Sequence, residues 1–166
     1  DYSGLGVIMA SEDRSIRWMR EAYRSAATPP EGKLRCAHVL GMLGDASGVE
    51  MIIARVQSSK EFDEDRIDTY FPWVTWLDSY LIALGRTRDP RALEPLLGKL
   101  ALLVEGKGDQ VSHYRALALA FDALGDPAAA KPLGEAMKKL DIRGMAVSET
   151  AGLTAAARGK SGERDL

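Results

Sequence analysis

Few residues in this chain have the types and spacing that catalysis or metal binding requires. The histidines are His38 and His113, and the single cysteine is Cys36. A zinc site needs several such ligands, and a nucleophilic centre needs a nucleophile beside a base. Neither pattern is present, so the sequence predicts no catalytic, cofactor-binding or metal-binding residue. Cys36 and His38 lie on or beside an apolar helical face, which favours an inert buried thiol and a structural histidine.

Glycine-rich and acidic stretches also lack the spacing of known ligand loops. Gly106-Lys107-Gly108 has no complete phosphate-loop motif around it, and Gly4 and Gly6 lack the third glycine of a dinucleotide loop. Asp63-Glu64-Asp65 lacks the glycine and the terminal glutamate of an EF-hand loop. The sequence therefore predicts neither a nucleotide loop nor a calcium loop.

The segment 57–72 combines acidic residues with aromatic residues that continue beyond it. One interpretation is a partner-contact surface with an acidic rim and an aromatic anchor, formed by Tyr70, Trp73 and Trp76. The favoured alternative is that these aromatic side chains seal a joint between helices while the acids are solvated.

Two further groups of residues are candidates for binding. His113 and Arg115 open a predicted helix, where they would line a groove and clamp an anion; the alternative is that Tyr114 packs while both lie in water. A basic stripe near the N-terminus would contact phosphate or an acidic partner, although acidic neighbours favour a solvated face. This stripe consists of Arg14, Arg17, Arg20 and Arg24.

One short phrase, repeated three times, organises the elements that position these residues. Leu43-Gly44-Asp45, Leu84-Gly85 before Asp89-Pro90, and Leu124-Gly125-Asp126-Pro127 recur about every 40 residues, the period of helical repeat proteins. Glycine at C′ ends a helix in the left-handed conformation, and aspartate caps the next helix. Each phrase therefore predicts an antiparallel helix pair.

Apolar stripes on both sides of each phrase predict about eight helices. The chain is expected to be one all-α domain over 1–166, an α-solenoid forming a right-handed superhelix. Full repeats are predicted at about 33–57, 73–103 and 112–140, with partial repeats at about 11–26 and 145–158. The first helices are placed at 33–43, 73–85 and 112–124, and the second helices at 46–57, 90–103 and 127–140.

The phrase and its two stripes resemble HEAT-like repeats of the phycobilisome-lyase type over about 33–140. Some members of that family are iron-dependent hydroxylases with His-Glu metal ligands. Here His38 precedes Val39 and His113 precedes Tyr114, which disfavours that branch. The resemblance therefore implies the architecture and leaves the chemistry open.

A second resemblance is to the helical C-terminal region of bacterial FAD-dependent oxidoreductase-type proteins. It implies that FAD belongs to a longer parent protein, with the flavin fold upstream of this chain. The residues that carry it are Trp76-Leu77-Asp78-Ser79-Tyr80, Leu84-Gly85-Arg86, Ser112-His113-Tyr114-Arg115-Ala116 and Leu124-Gly125-Asp126-Pro127.

Composition narrows the classes of partner. The chain has 166 residues, 46% of them hydrophobic, and a net charge of −2. This charge does not favour nucleic acid, and no apolar run approaches the roughly 18 residues of a membrane span. One cysteine fits a reducing compartment such as the cytoplasm. The absence of an initial methionine suggests a piece of a longer protein, so any dimer is expected to result from excision.

These observations predict a non-catalytic interaction module. Its partner would be another protein or another domain of the parent polypeptide, bound along the predicted second helices. Arg55, Arg91 and Lys131 are the candidate contacts on that surface. The alternative is an accessory helical domain of a flavin enzyme.

Overall fold

The computed structural model describes residues 12–60, 62, 75–106 and 111–139, which form seven α-helices and no strand. The all-α fold class is confirmed, and the number of helices is close to the eight predicted. The partial repeat predicted at 145–158 lies outside the described residues. The helices are α1 (Glu12–Arg24), α2 (Pro30–Met42), α3 (Val49–Ser58), α4 (Trp76–Arg86), α5 (Leu93–Val104), α6 (Val111–Leu124) and α7 (Ala130–Lys139).

The helices contact one another in two rows. In the first row α1 packs on α2, α2 on α4, and α4 on α6; in the second, α3 contacts α5 and α5 contacts α7. Helix pairs α2–α3, α3–α4 and α5–α6 join the rows. The core lies between the rows, where apolar stripes from both meet. Its fully buried side chains include Leu40, Ile52, Leu81, Leu96 and Phe121.

The predicted aspartate caps are present, but each introduces a 3-10 turn before the α-helix. Asp45, Asp89 and Asp126 accept hydrogen bonds from the backbone N–H two residues later, at 2.8, 3.0 and 2.8 Å. The turns span Ala46–Gly48, Pro90–Ala92 and Pro127–Ala129. Helices α3, α5 and α7 therefore begin later than the predicted starts at 46, 90 and 127.

Gly85 does not end a helix in the left-handed conformation, so that part of the prediction is wrong. Gly44 and Gly125 have positive φ values of 82° and 67°, as predicted, but α4 continues through Gly85 and the left-handed residue is Arg88, with φ 55°. A Cβ at Gly85 would lie 2.5 Å from the Cα of Ala120 in α6. This glycine is needed for close approach of two helices.

Candidate functional site

His38 is the centre of an aromatic cluster formed by His38, Trp76, Tyr80 and Arg55. Its ring centroid lies 4.5 Å from that of Tyr80 and 6.1 Å from that of Trp76. His38 Nε2 is 2.8 Å from the Ser79 hydroxyl oxygen. Burial lowers the pKa of His38 to about 4, although contact with Ser79 opposes this shift. His38 is therefore buried and hydrogen-bonded, as expected of a structural histidine.

Two predicted partner-binding residues, Arg55 and Trp76, belong to this cluster. The Arg55 guanidinium lies 5.8 Å from the Tyr80 ring centroid, a cation–π distance, and donates to the Ser59 hydroxyl at 2.7 Å. Trp76 lies 6.5 Å from Tyr80 between ring centroids. Both side chains are half-buried. The cluster therefore joins α2, α3 and α4, which matches the alternative in which aromatic side chains seal a joint.

Arg91 is exposed and bridges two neighbouring helix starts. It donates to Asp89 at 2.8 Å and to Glu50 at 3.0 Å. The hydrogen bond with Asp89 raises the pKa of Arg91 above its usual range, and the same bond holds the pKa of Asp89 below its usual value. Arg91 therefore already has acidic partners within the chain.

His113 is buried, so the interpretation that places it in water is wrong. The residue has 0% exposure, and its Nδ1 lies 2.8 Å from Asp78 Oδ1. The other oxygen of Asp78 accepts from the Thr75 backbone N–H at 3.1 Å, within a capping box that begins α4. An Asp-His pair is the arrangement of a general base, but neither side chain is accessible to a substrate. Its role is to join α4 to α6.

The remaining candidates do not gather at one site. Arg115 is exposed on α6, and Tyr114 beside it is buried, as the alternative interpretation had it. Lys131 is exposed on α7. Tyr70 and Trp73 lie outside the described residues.

A cleft between α3 and α5, with a volume of about 510 Å³, is the feature that sequence reasoning missed. Lys60 and Glu94 are exposed at it, whereas Lys99 is 5% exposed and donates to the Ser59 carbonyl oxygen. Lysine usually faces water, and only the position of Lys99 beside an apolar stripe hints at its burial. The α3–α5 cleft is lined by Gln57, Ser59, Lys60, Glu94, Pro95, Gly98, Lys99 and Leu102.

Within the described ranges, no group of three or more histidine, cysteine or acidic side chains is placed to hold a metal ion. The helices of this part of the chain also include none that is long and apolar enough to cross a membrane.

No protein-family model matches the chain, and no curated protein or solved structure matches it either. The resemblances to HEAT-like repeats and to the flavin-linked helical region therefore stay predictions.

Proposed function

We propose that this chain is a non-catalytic protein-interaction module, an α-solenoid of HEAT-like helix pairs. Its partner, another protein or another domain of the parent polypeptide, binds along the row formed by α3, α5 and α7. The binding position is the α3–α5 cleft.

Contacts at a constant sequence separation support the solenoid part of the proposal. Glu50 pairs with Arg91 and His38 with Ser79, each 41 residues apart, and Ser59 accepts from Lys99 at 40 residues. Stacked repeats place equivalent positions of neighbouring units side by side, so their contacts recur at the repeat length.

The α3–α5 cleft is the observation that supports the proposed binding of a partner. Lys60 and Glu94 bring opposite charges to it, while Pro95 and Leu102 contribute apolar surface. Mixed charge around an apolar centre is the composition of protein interfaces, in which a few side chains fill pockets. The buried Asp78–His113 pair, by contrast, offers no accessible reactive group.

Site-specific photo-cross-linking tests this surface. Gly98 lines the cleft, and a Cβ built there lies in open space, which makes it the position of choice for a benzoylphenylalanine probe. In cells that naturally contain this protein, the probe at position 98 should cross-link to one partner protein. The same probe at Leu119, 47% exposed on α6 in the other row, is the matched control and should not capture it.

Binding of the purified captured partner then checks the chemistry. The charge reversal K60E/E94K should weaken it about tenfold, as expected for an interface contact of moderate strength. Capture at Leu119 instead of Gly98, or unchanged affinity in K60E/E94K, would show that the partner binds elsewhere.

The flavin-linked alternative has its support in sequence resemblance alone. It predicts that the isolated chain does not bind FAD, because the cofactor belongs to the parent protein. An absorption spectrum of the full-length parent tests this alternative. A flavin spectrum would support it, and a colourless parent would count against it.

A further inference from the structure

Helix α1 presents one face with an exposed tryptophan among arginines. Trp18 is 72% exposed, and the residues at helical spacing around it are exposed as well. Positions 14, 17, 18, 21 and 24 recur at intervals of three and four, which places them on one side of a helix. This α1 face consists of Arg14, Arg17, Trp18, Glu21 and Arg24.

The rest of the molecule fixes this face in position. Tyr23, on the opposite side of α1, packs against the core, and the helix contacts α2. Arg20 Nε donates to Asp45 Oδ2 at 2.8 Å. Burial raises the pKa of Asp45, but the hydrogen bonds from Arg20 and Ser47 outweigh this effect and hold the pKa below its usual value. The anchoring ion pair therefore persists at neutral pH, and the α1 face is preorganised.

We propose that the α1 face binds an acidic polypeptide segment that carries an apolar anchor residue. Three arginines against one glutamate give the face a local positive charge, on a chain whose net charge is −2. Opposite charge on the partner would direct it to this face. Trp18 supplies the apolar contact, and tryptophan and arginine are the residue types that contribute most to binding at protein interfaces.

Two other anionic occupants fit this face less well. A membrane-bound helix inserts its apolar side into the bilayer, but the apolar side of α1 already packs on α2. Nucleic acid binding depends on neutralising many phosphates, whereas this face has three arginines interrupted by Glu21. An acidic peptide needs only a few charge contacts and one apolar pocket.

This inference goes beyond the proposed function, because the α1 face does not overlap the α3–α5 cleft. Its test uses different residues and a different readout. Failure at one surface is therefore distinguishable from failure at the other.

The test measures fluorescence anisotropy of a labelled glutamate-rich peptide that contains one pair of leucines. The unmodified chain should bind it, and W18A and R14E/R17E should each bind about tenfold more weakly. Added salt should weaken binding, because the charges are solvent-exposed. K138E/K139E makes the same change in charge on exposed residues of α7 and should leave affinity unchanged.

Several results would overturn the proposal. One is a failure of the acidic leucine peptide to bind, and another is equally good binding when serine replaces its leucines. A third is that W18A and R14E/R17E bind the peptide as well as the unmodified chain does. Tighter Trp18-dependent binding to phosphatidylserine vesicles or to polyuridylate would assign the face to a membrane or to RNA. A dimer that dissociates in W18A would assign it to a second copy of the chain. Circular dichroism of both variants confirms that they are folded.

Discussion

Helix α4 packs against α2 on one side and against α6 on the other. These two contacts, the α2–α4 joint and the α4–α6 joint, are built from the same kinds of interaction but differ in how closely the helices approach. At each joint a glycine faces an alanine, Gly41 against Ala83 and Gly85 against Ala120. A histidine on each neighbouring helix also contacts α4, at Ser79 in one case and Asp78 in the other. The α4–α6 joint is closer, since a Cβ at Gly85 would meet backbone atoms at 2.5 Å, whereas one at Gly41 would lie 3.1 Å from the Ala83 carbonyl oxygen.

The difference shows what a repeated sequence does and does not repeat. Both joints require a small residue and a buried polar contact, but one contact is to a hydroxyl and the other to a carboxylate. A close backbone crossing and a buried His-carboxylate contact each make a joint more sensitive to substitution. The α4–α6 joint should therefore be the less tolerant one.

The largest expected effect is from the substitution Gly85→Ala. Its methyl group would overlap the backbone of Ala120, which cannot move without displacing α6, so unfolding free energy should fall by about 3 kcal/mol or more. Gly41→Ala is the matched control, and its closest contact is the movable end of Ile52, so it should cost about 1 kcal/mol. Urea denaturation measures both. Equal losses would show that the two joints are equivalent.

Asp78→Ala should come next, with a loss of about 3 kcal/mol, because it leaves His113 buried without its carboxylate. Ser79→Ala removes a neutral partner at the other joint and should cost about 1 kcal/mol. Thr75→Ala removes the capping bond alone, at about 1 kcal/mol, and so separates that bond from the His113 contact. Thermal and urea unfolding measure the series; a loss in Asp78→Ala no greater than in Thr75→Ala would contradict the prediction.

The α2–α4 joint should make stability depend on pH through His38. Burial lowers its folded pKa from 6.5 to about 4, so between these values the unfolded chain binds a proton that the folded chain does not. Stability should therefore fall as the pH drops, by about 2 kcal/mol between pH 7 and pH 5. His38→Gln should remove this part of the slope in urea titrations. Parallel curves for both proteins would exclude His38 as the cause.

The smallest expected change in stability is at the turn after α4. Gly85 packs against α6 there and remains helical, and Arg88 takes the left-handed conformation instead. Arg88→Gly should relieve the strain and raise stability by about 0.5 kcal/mol. Gly125→Ala should lower it by about 1 kcal/mol, because its φ of 67° disfavours a side chain although the space around it is open. Melting temperatures report both signs, and a destabilised Arg88→Gly protein would indicate that the arginine side chain contributes a contact.

The sequence was sufficient for the helices and their caps but not for the sites. Periodic apolar positions and the Asp-Pro pairs are local signals, so the helix order and the roles of Asp89 and Asp126 followed directly. The conformation of Gly85 did not, because a helix-ending glycine and a packing glycine look alike in sequence. The tertiary neighbour Ala120 decided between them.

Burial of polar side chains was the harder property to predict. Lysine usually faces water and histidine is intermediate in burial, and the partners of Lys99 and His113 are distant in sequence. The exposed position of Trp18 was equally hidden, since an aromatic residue in an amphipathic helix is expected to pack. Each of these positions depends on which helices become neighbours.

The Gly85–Ala120 crossing has a mechanical consequence. At this crossing no side chain separates the two backbones, so α4 and α6 have no rotatable groups there along which to slide, and they should move together as one stiff body. At the α2–α4 joint, by contrast, the contacts are made by side chains that can change rotamer, namely Ile52 and the aromatic rings around His38. Relative motion of the helices should therefore concentrate at the α2–α4 joint, so that stiffness differs between the two sides of α4.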